Sequence, residues 1–453
     1  AGLVPTNVAA LLARTLVKMQ GDGPDAVTLD PQREDAYFNY EAQLMSLAGS
    51  DVGGRLHVAR SRNDILATHD RLRARDIGLN VLDALNAARE VALSRAAAYA
   101  DVVMPGYTHL QSAQPISYGH YLSAVAQAMA RDAGRIEQAI VNMDASPLGA
   151  GALAGTAFPI QREETARLLG FSGCVENSLD AVASRDFAWE LMSAMTIASL
   201  TWGRIAQDFY VWATPEFGLI EFPDSVAGTS SIMPQKKNPV VVEYLKGKTS
   251  HLIGLLTAAM SAVKGTHFTH SGDGNRESMR SFWESADECL RCLVLFKLVI
   301  DSARPVEATM LHKARTDFST ATDLADALVR ESDLSFREAH HVVGAVVRQA
   351  LDAGLPASDI TAEMVNAAAT EQTGRPICLS EQSVRLCLDP AYSLESRSAK
   401  GGPAPSLVVL RIAQQRDELH KAQERAMRTR QMVADSRTRL QCELTELADL
   451  SAD

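Results

Sequence analysis

From Asp64 to roughly Ala100 the chain places Ile65, Leu66, Leu72, Ile77, Leu79, Val81, Leu82, Leu85 and Val91 at broadly helical intervals, with no internal Gly-Pro break. That pattern predicts one long helix with at most a short interruption near Gly78. Stretches of the same character follow at 116–143, 184–214, 240–263 and 278–301, each bounded by Gly, Pro or polar clusters. Together they predict an elongated, all-α bundle of long helices. Composition agrees. Hydrophobic residues make up 46% but aromatic residues only 6%, and Ala and Leu recurring at turn spacing favour helices packed through small side chains over sheets. At 453 residues the chain exceeds the size at which one core stops growing, so two or three domains are expected.

The flanks differ from the bundle. Thr6 or Asn7 offers a cap for an apolar helical stripe, and the same periodicity returns from Glu34 to Gly49, after Gly21-Asp-Gly-Pro24. The numbering reads as if it opened inside a longer protein. Beyond Arg304-Pro305, shorter capped helices are expected after Ser332-Asp-Leu-Ser335 and at Thr361. The expected division is an N-terminal helical domain at 1–63, a central bundle at 64–303 and a C-terminal helical domain at 304–453. The last ends in a long charged helix between Pro403 and Leu450, read as exposed or packed on a partner.

With 44 Lys plus Arg against 55 Asp plus Glu, the net charge is −11, opposite in sign to the footprint of a nucleic-acid binder. Acidic substrates must therefore be captured by local groups. The six cysteines, at 174, 289, 292, 378, 387 and 442, form no repeated disulfide or zinc spacing. The single C-x-x-C, Cys289 to Cys292, lies in a run with helical apolar spacing and reads as core packing. No metal cluster and no cofactor motif is evident. Gly149, Gly151 and Gly155 invite a dinucleotide-loop reading, but no period-two strand precedes them; they read as tight backbone approach between helices. No apolar run reaches the roughly 18 to 20 residues of a membrane span, and no secretory signal is visible. A reduced, cytoplasmic protein with no membrane or nucleic-acid partner is expected.

The most informative stretch is Ala227-Gly-Thr-Ser-Ser-Ile-Met-Pro-Gln-Lys-Lys-Asn-Pro239. Small polar residues open it, two lysines and an amide close it, and Pro239 suits the first turn of the next helix. Physics alone leaves a phosphate loop or a surface turn open. As a whole string it resembles the signature loop of the fumarase, aspartase and argininosuccinate lyase superfamily. Leu56-His-Val-Ala-Arg-Ser-Arg-Asn-Asp64, Met104-Pro-Gly-Tyr-Thr-His-Leu-Gln-Ser-Ala-Gln-Pro115 and Ser146-Pro-Leu-Gly-Ala-Gly-Ala-Leu-Ala-Gly-Thr156 resemble the argininosuccinate lyase branch. Asn177 to Asp186 and Ser393 to Gly402 carry the resemblance over nearly the whole chain.

The resemblance implies an enzyme that eliminates an amine from an N-substituted aspartate and releases fumarate, without a cofactor or metal. It also implies a homotetramer with a twenty-helix core, whose sites draw motifs from three chains. Removing a proton beside a carboxylate needs a base and preorganised positive groups for the developing dianion. The implied base is Ser231, next to Ser230, on a loop that closes over substrate and excludes water. Arg62 and Asn63 match the carboxylate-binding pair, with Thr108, Lys236 and Asn238 completing the cradle. Arg supplies a bidentate fork and Lys a point charge for a succinyl group. His109 matches the family histidine, which pairs with a carboxylate corresponding to Glu243.

The amine-binding half departs from argininosuccinate lyases. Their Tyr, Gln and Lys anchors, in Tyr-Asn-Lys-Asp-x-Gln-Glu-Asp-Lys, are all replaced in His270-Ser-Gly-Asp-Gly-Asn-Arg-Glu-Ser278. Unpaired polar groups in a site built to hydrogen-bond its ligand cost on the order of 10⁴ to 10⁵ in discrimination. Two other motifs are altered, to Glu34-Asp-Ala-Tyr-Phe-Asn-Tyr-Glu41 and to His57-Val-Ala-Arg60. The combination resembles the lyases of ethylenediamine-N,N'-disuccinate (EDDS), relatives that release fumarate and a diamine stepwise; Arg276 is then the candidate cation for a second succinyl arm. Argininosuccinate cleavage is the alternative.

Overall fold

The computed structural model describes residues 2–450. Helices α1 (Thr6–Asp22), α2 (Ala36–Ala48) and α3 (Ser50–Gly54) lead into α4 (Arg62–Ala98). A hairpin of β1 (Val103–Thr108) and β2 (Gln111–Ser117) then turns the chain into α5 (Tyr118–Asn142). After α6 (Arg162–Leu168) and α7 (Ser178–Ala183) come α8 (Asp186–Trp212), strand β3 (Ile220–Glu221), the paired strands β4 (Gly228–Thr229) and β5 (Lys237–Asn238), and helices α9 (Val240–Val263) and α10 (Gly272–Ser302). Strand β6 (Arg304–Pro305), which pairs with β3, opens a run of shorter helices: α11 (Glu307–Thr316), α12 (Ala321–Ser332), α13 (Phe336–Asp352), α14 (Ala362–Thr373), α15 (Glu381–Cys387) and α16 (Pro390–Ser396). The chain closes on α17 (Pro405–Asp449).

The bundle of α4, α5, α8, α9 and α10 is the one its periodicity predicts. Helix α4 passes through Gly78 without interruption. The glycine is there for contact: a Cβ at this position would lie 2.9 Å from Ile140 Cγ1 and 3.4 Å from Leu191 Cδ2, so α5 and α8 can approach only a bare backbone. Cys289 and Cys292 are buried in the same core. Burial pushes the Cys292 thiol up to about 12, which marks it as unreactive packing rather than a nucleophile.

A second core joins α12 to α15 through Leu324, Leu328, Val342, Val346, Val365 and Val384. The terminal helix, grouped above with the C-terminal domain, packs elsewhere: Val408, Ile412, Leu419 and Ala426 belong to the bundle core. Gln415 on α17 is buried and bonds to Ser123 on α5, and Arg430 and Arg437 pair with Asp83 and Asp76 on α4. Its charged appearance reflects one buried stripe in an otherwise solvated surface, which a hydrophobicity count alone does not separate.

Ion pairs fix the direction of the bundle helices. Arg95, near the end of α4, bonds to Asp301, near the end of α10, at 2.8 Å, while Arg276 at the start of α10 lies beside residues that pair with Arg62. Helices α4 and α10 therefore run parallel. The outer faces of α8, α9 and α10 leave Ile197, Leu200, Ile253, Met260, Val294 and Leu298 exposed.

Candidate active site

The start of α4 is held by a buried carboxylate. Ser61 caps the helix, and Asp64 completes a capping box by accepting the Ser61 N–H at 3.0 Å. Its other oxygen accepts the N–H groups of Gly149 and Gly151, at 3.0 and 2.9 Å. The glycine loop is thus folded onto the N-terminus of α4 and onto itself, which corrects the reading of close approach between helices. Gly149 and Gly151 have φ of 91° and 62°; a Cβ on Gly151 would lie 2.7 Å from the Gly155 carbonyl. Asn63 is tied to the same loop, donating to the Ala152 carbonyl at 3.1 Å.

Arg62 is fixed from α2. Its guanidinium donates to Asp35 at 2.9 Å, pairs with Glu34 at 3.0 Å and lies 4.7 Å from the centre of the Phe38 ring. Asp35 is also the cap of α2, accepting the Phe38 N–H. Beside this group opens a cleft of about 620 Å³ lined by Asp35, Tyr37, Asp70, Arg185, His270 and Arg276, among others. Most of its charges are satisfied: Arg185 pairs with Asp70 at 2.9 Å and Arg280 with Glu284 at 3.3 Å. Among the described residues Arg276 reaches only Glu34, at 3.9 Å, and that carboxylate is already engaged by Arg62. Burial, then Arg185, Arg276 and Arg62, hold His270 below the usual histidine range, so it is neutral at neutral pH.

The other candidates sit at the far end. Thr108 ends β1, and His109 and Leu110 form the two-residue turn of the hairpin, with φ of 56° and 58°. Positive φ at both turn residues is what such a hairpin demands, but a leucine there costs about 1 kcal/mol or more. Tyr107, just before the tip, packs against Trp212 at the end of α8. The loop 227–239 leaves from this end too, with Ser231 and Lys236 exposed, Ser230 half-buried and Asn238 paired through its backbone to Gly228. Ser230 Oγ accepts the N–H groups of Ile232 and Met233. Glu243, in the first turn of α9, accepts the Tyr210 hydroxyl at 3.3 Å. Among the described residues, no hydrogen bond or ion pair joins His109 to Glu243 within the chain.

The structure therefore gathers the candidates into two groups. Arg62, Asn63 and Arg276 lie at one end of the bundle; Thr108, His109, Ser230, Ser231, Lys236, Asn238 and Glu243 lie at the other. Helix α4 spans the gap with 37 residues, about 54 Å at 1.5 Å per residue. Arg62 and Ser231 of one chain cannot touch one substrate.

The first part of the chain, residues 2–254, matches the family model described as lyase, and residues 318–395 match the argininosuccinate lyase C-terminal model. Argininosuccinate lyase 1 of Shouchella clausii is 40% identical over 91% of this chain and 83% of its own length. The chain belongs to the argininosuccinate lyase branch of the fumarase and aspartase superfamily. The argininosuccinate lyase of Methanothermobacter thermautotrophicus is 37% identical over 90% of this chain and 86% of its own. A variant of EDDS lyase with bound fumarate superposes with a TM-score of 0.91 at 31% identity, covering 99% of this chain and 88% of that one. A 3-carboxy-cis,cis-muconate lactonizing enzyme from Pseudomonas putida, at 19% identity and a TM-score of 0.71, shares the fold. This chain is a fumarate-releasing carbon–nitrogen lyase. No helix among the described residues is long and apolar enough to cross a membrane.

Several residues around the site carry no signal in the motifs used to find it. Glu34, Asp35 and Phe38, which hold Arg62, were visible only as an altered motif. Asp64 was missed, although Ser61-Arg-Asn-Asp64 has the spelling of a capping box. His270 and Arg185 become site residues only through the fold.

Proposed function

We propose that this lyase acts as a homotetramer with sites shared between chains, and that its substrate is an N-substituted aspartate whose amine bears a second anionic arm, EDDS being the test compound. The two separated groups support sharing, with Arg62 and Asn63 of one chain meeting Ser231, Lys236 and His109 of others. The uncovered apolar faces of α8, α9 and α10 are suited to that assembly. Ser231, as its alkoxide in the closed loop, takes the proton from the carbon beside one carboxylate. The electron pair left behind forms the double bond of fumarate, the C–N bond breaks, and the amine departs with a proton. Arg62, Asn63, Thr108, Lys236 and Asn238 hold the succinyl carboxylates as negative charge develops, and His109 with Glu243 orients the site.

The observation that carries the substrate reading is Arg276. It is the cleft arginine with the weakest partner, 3.9 Å from a carboxylate engaged elsewhere. A guanidinium so placed is free to take a distal carboxylate in a bidentate grip. The enzyme is expected to turn over EDDS with kcat/KM at least about 100-fold above argininosuccinate, roughly 2.7 kcal/mol of transition-state binding. Arg276→Ala should weaken EDDS strongly and leave N-alkylaspartates without a second arm nearly unaffected; equal losses on both would remove that role. The second reading is argininosuccinate, favoured by identity to lyases of that name reaching 40%. Its efficient cleavage by the unmodified enzyme would replace EDDS.

A further inference from the structure

We propose that Tyr37 determines specificity for the amine half of the substrate, its phenol held in position by His57 and Glu41. Tyr37 lines the cleft that also carries Arg276 and His270. Its hydroxyl lies 2.7 Å from His57 Nδ1, and Glu41 Oε1 lies 3.4 Å from the same nitrogen. Tyr37 and Glu41 are four residues apart on α2, hence on one face of the helix, and together they bracket the imidazole. The Tyr37 and His57 rings are in contact, with centroids 5.8 Å apart.

The same turn of α2 supplies Asp35 and Phe38 to Arg62. Tyr37 is thereby fixed relative to the arginine that grips the succinyl carboxylate. Tyr37, Arg276 and His270 line one cleft, and Glu34 links Arg276, at 3.9 Å, to Arg62, at 3.0 Å, so the space Tyr37 lines adjoins the succinyl anchor and is that of the departing amine. Burial, with Glu41 close by, raises the phenol above its ordinary range, so it stays protonated at neutral pH. A neutral phenol serves in either hydrogen-bonding sense. When its O–H donates to His57 Nδ1, its oxygen accepts an N–H of the amine. When His57 carries the Nδ1 proton, the O–H is free to donate to an anionic substituent. In both states one polar contact stands at a fixed place in the cleft wall, and a site that hydrogen-bonds its ligand discriminates through the group that would otherwise lie unpaired.

This inference rests on the proposal that Arg62 holds the succinyl half, and the test separates the two. The reverse reaction is followed by loss of fumarate absorbance, using whichever of ammonia, methylamine, ethylenediamine and arginine the unmodified enzyme adds fastest. Tyr37→Phe keeps the ring and removes the hydroxyl. It is expected to raise KM for the amine about tenfold and to leave KM for fumarate within about twofold. His57→Asn should shift the amine KM in the same direction, and the double variant should be no worse than Tyr37→Phe alone, because both act through one contact. An unchanged amine KM, or equal rises for amine and fumarate, would overturn the role of Tyr37. Arg62→Lys is the companion measurement: a fumarate KM that it leaves unchanged would overturn the reading of Arg62, whatever Tyr37→Phe does to the amine.

Discussion

Replacing Asp64 by Asn should loosen the start of α4 while keeping the side chain's shape. The carboxylate accepts three backbone N–H groups, from Ser61, Gly149 and Gly151, and is fully buried. An amide has one oxygen. If that oxygen stays with the two glycines, the NH₂ faces the Ser61 N–H, donor against donor, and one buried donor loses its partner at about 1–3 kcal/mol. The two remaining bonds lose their charge assistance, which roughly halves them. The sum is about 2–4 kcal/mol against the local fold, or about 30- to 1000-fold in an opening equilibrium. Hydrogen exchange read by mass spectrometry, peptide by peptide, should show faster exchange at 146–155 and at the first turn of α4. Peptides in α10 should change little. KM for fumarate should rise with it, since Arg62 and Asn63 share that turn. Exchange within about threefold of the unmodified enzyme at 146–155 would refute the claim that Asp64 anchors the glycine loop.

Two glycines on bundle helices should respond in opposite directions to alanine. Gly78→Ala pushes a methyl against Ile140 and Leu191 and should destabilise by about 1–3 kcal/mol, whereas Gly134→Ala enters open space on α5 and should stabilise by about 0.5–1 kcal/mol; urea midpoints of the two decide it. Asp132 is buried, with one oxygen bonded to Arg135 and the other unpartnered, and burial raises its folded pKa. Its contribution to stability is therefore fullest below the unfolded pKa, about 3.9, and is lost as pH rises through the folded one. Asp132→Asn should raise the unfolding midpoint at pH 8, with the gain shrinking toward pH 4; a gain that grows on acidification would contradict the sign.

Ser231→Ala tests the chemistry itself. The hydroxyl lies on an exposed loop with no bond to the core, so the variant should fold and assemble as before while fumarate formation is abolished. Activity within a fewfold of the unmodified enzyme would remove Ser231 as the base.

The bundle was legible because its helices are long and their apolar period is sustained; α4, α5, α8, α9 and α10 begin and end within a few residues of the predicted bounds, apart from the early start of α10. The His109 hairpin was not, since Pro105, Gly106 and Pro115 break any strand period and the turn uses His and Leu where glycine or asparagine would signal it. Helix α17 read as exposed or packed on a partner because only one stripe of it is buried. The site residues were readable as motifs, but their partners were not. Arg62 depends on Asp35 and Phe38, 27 and 24 positions earlier, and nothing local in the chain announces a contact at that range.

Subunit exchange tests the central claim most directly. Arg62→Ala and Ser231→Ala chains, each inactive alone, are mixed in equal amounts and allowed to exchange. If each site takes Arg62 from one chain and Ser231 from another, random assembly leaves about one quarter of the sites intact, and fumarate formation should return to about that fraction. No recovery, once exchange has been verified by mass, would contradict sites shared between chains.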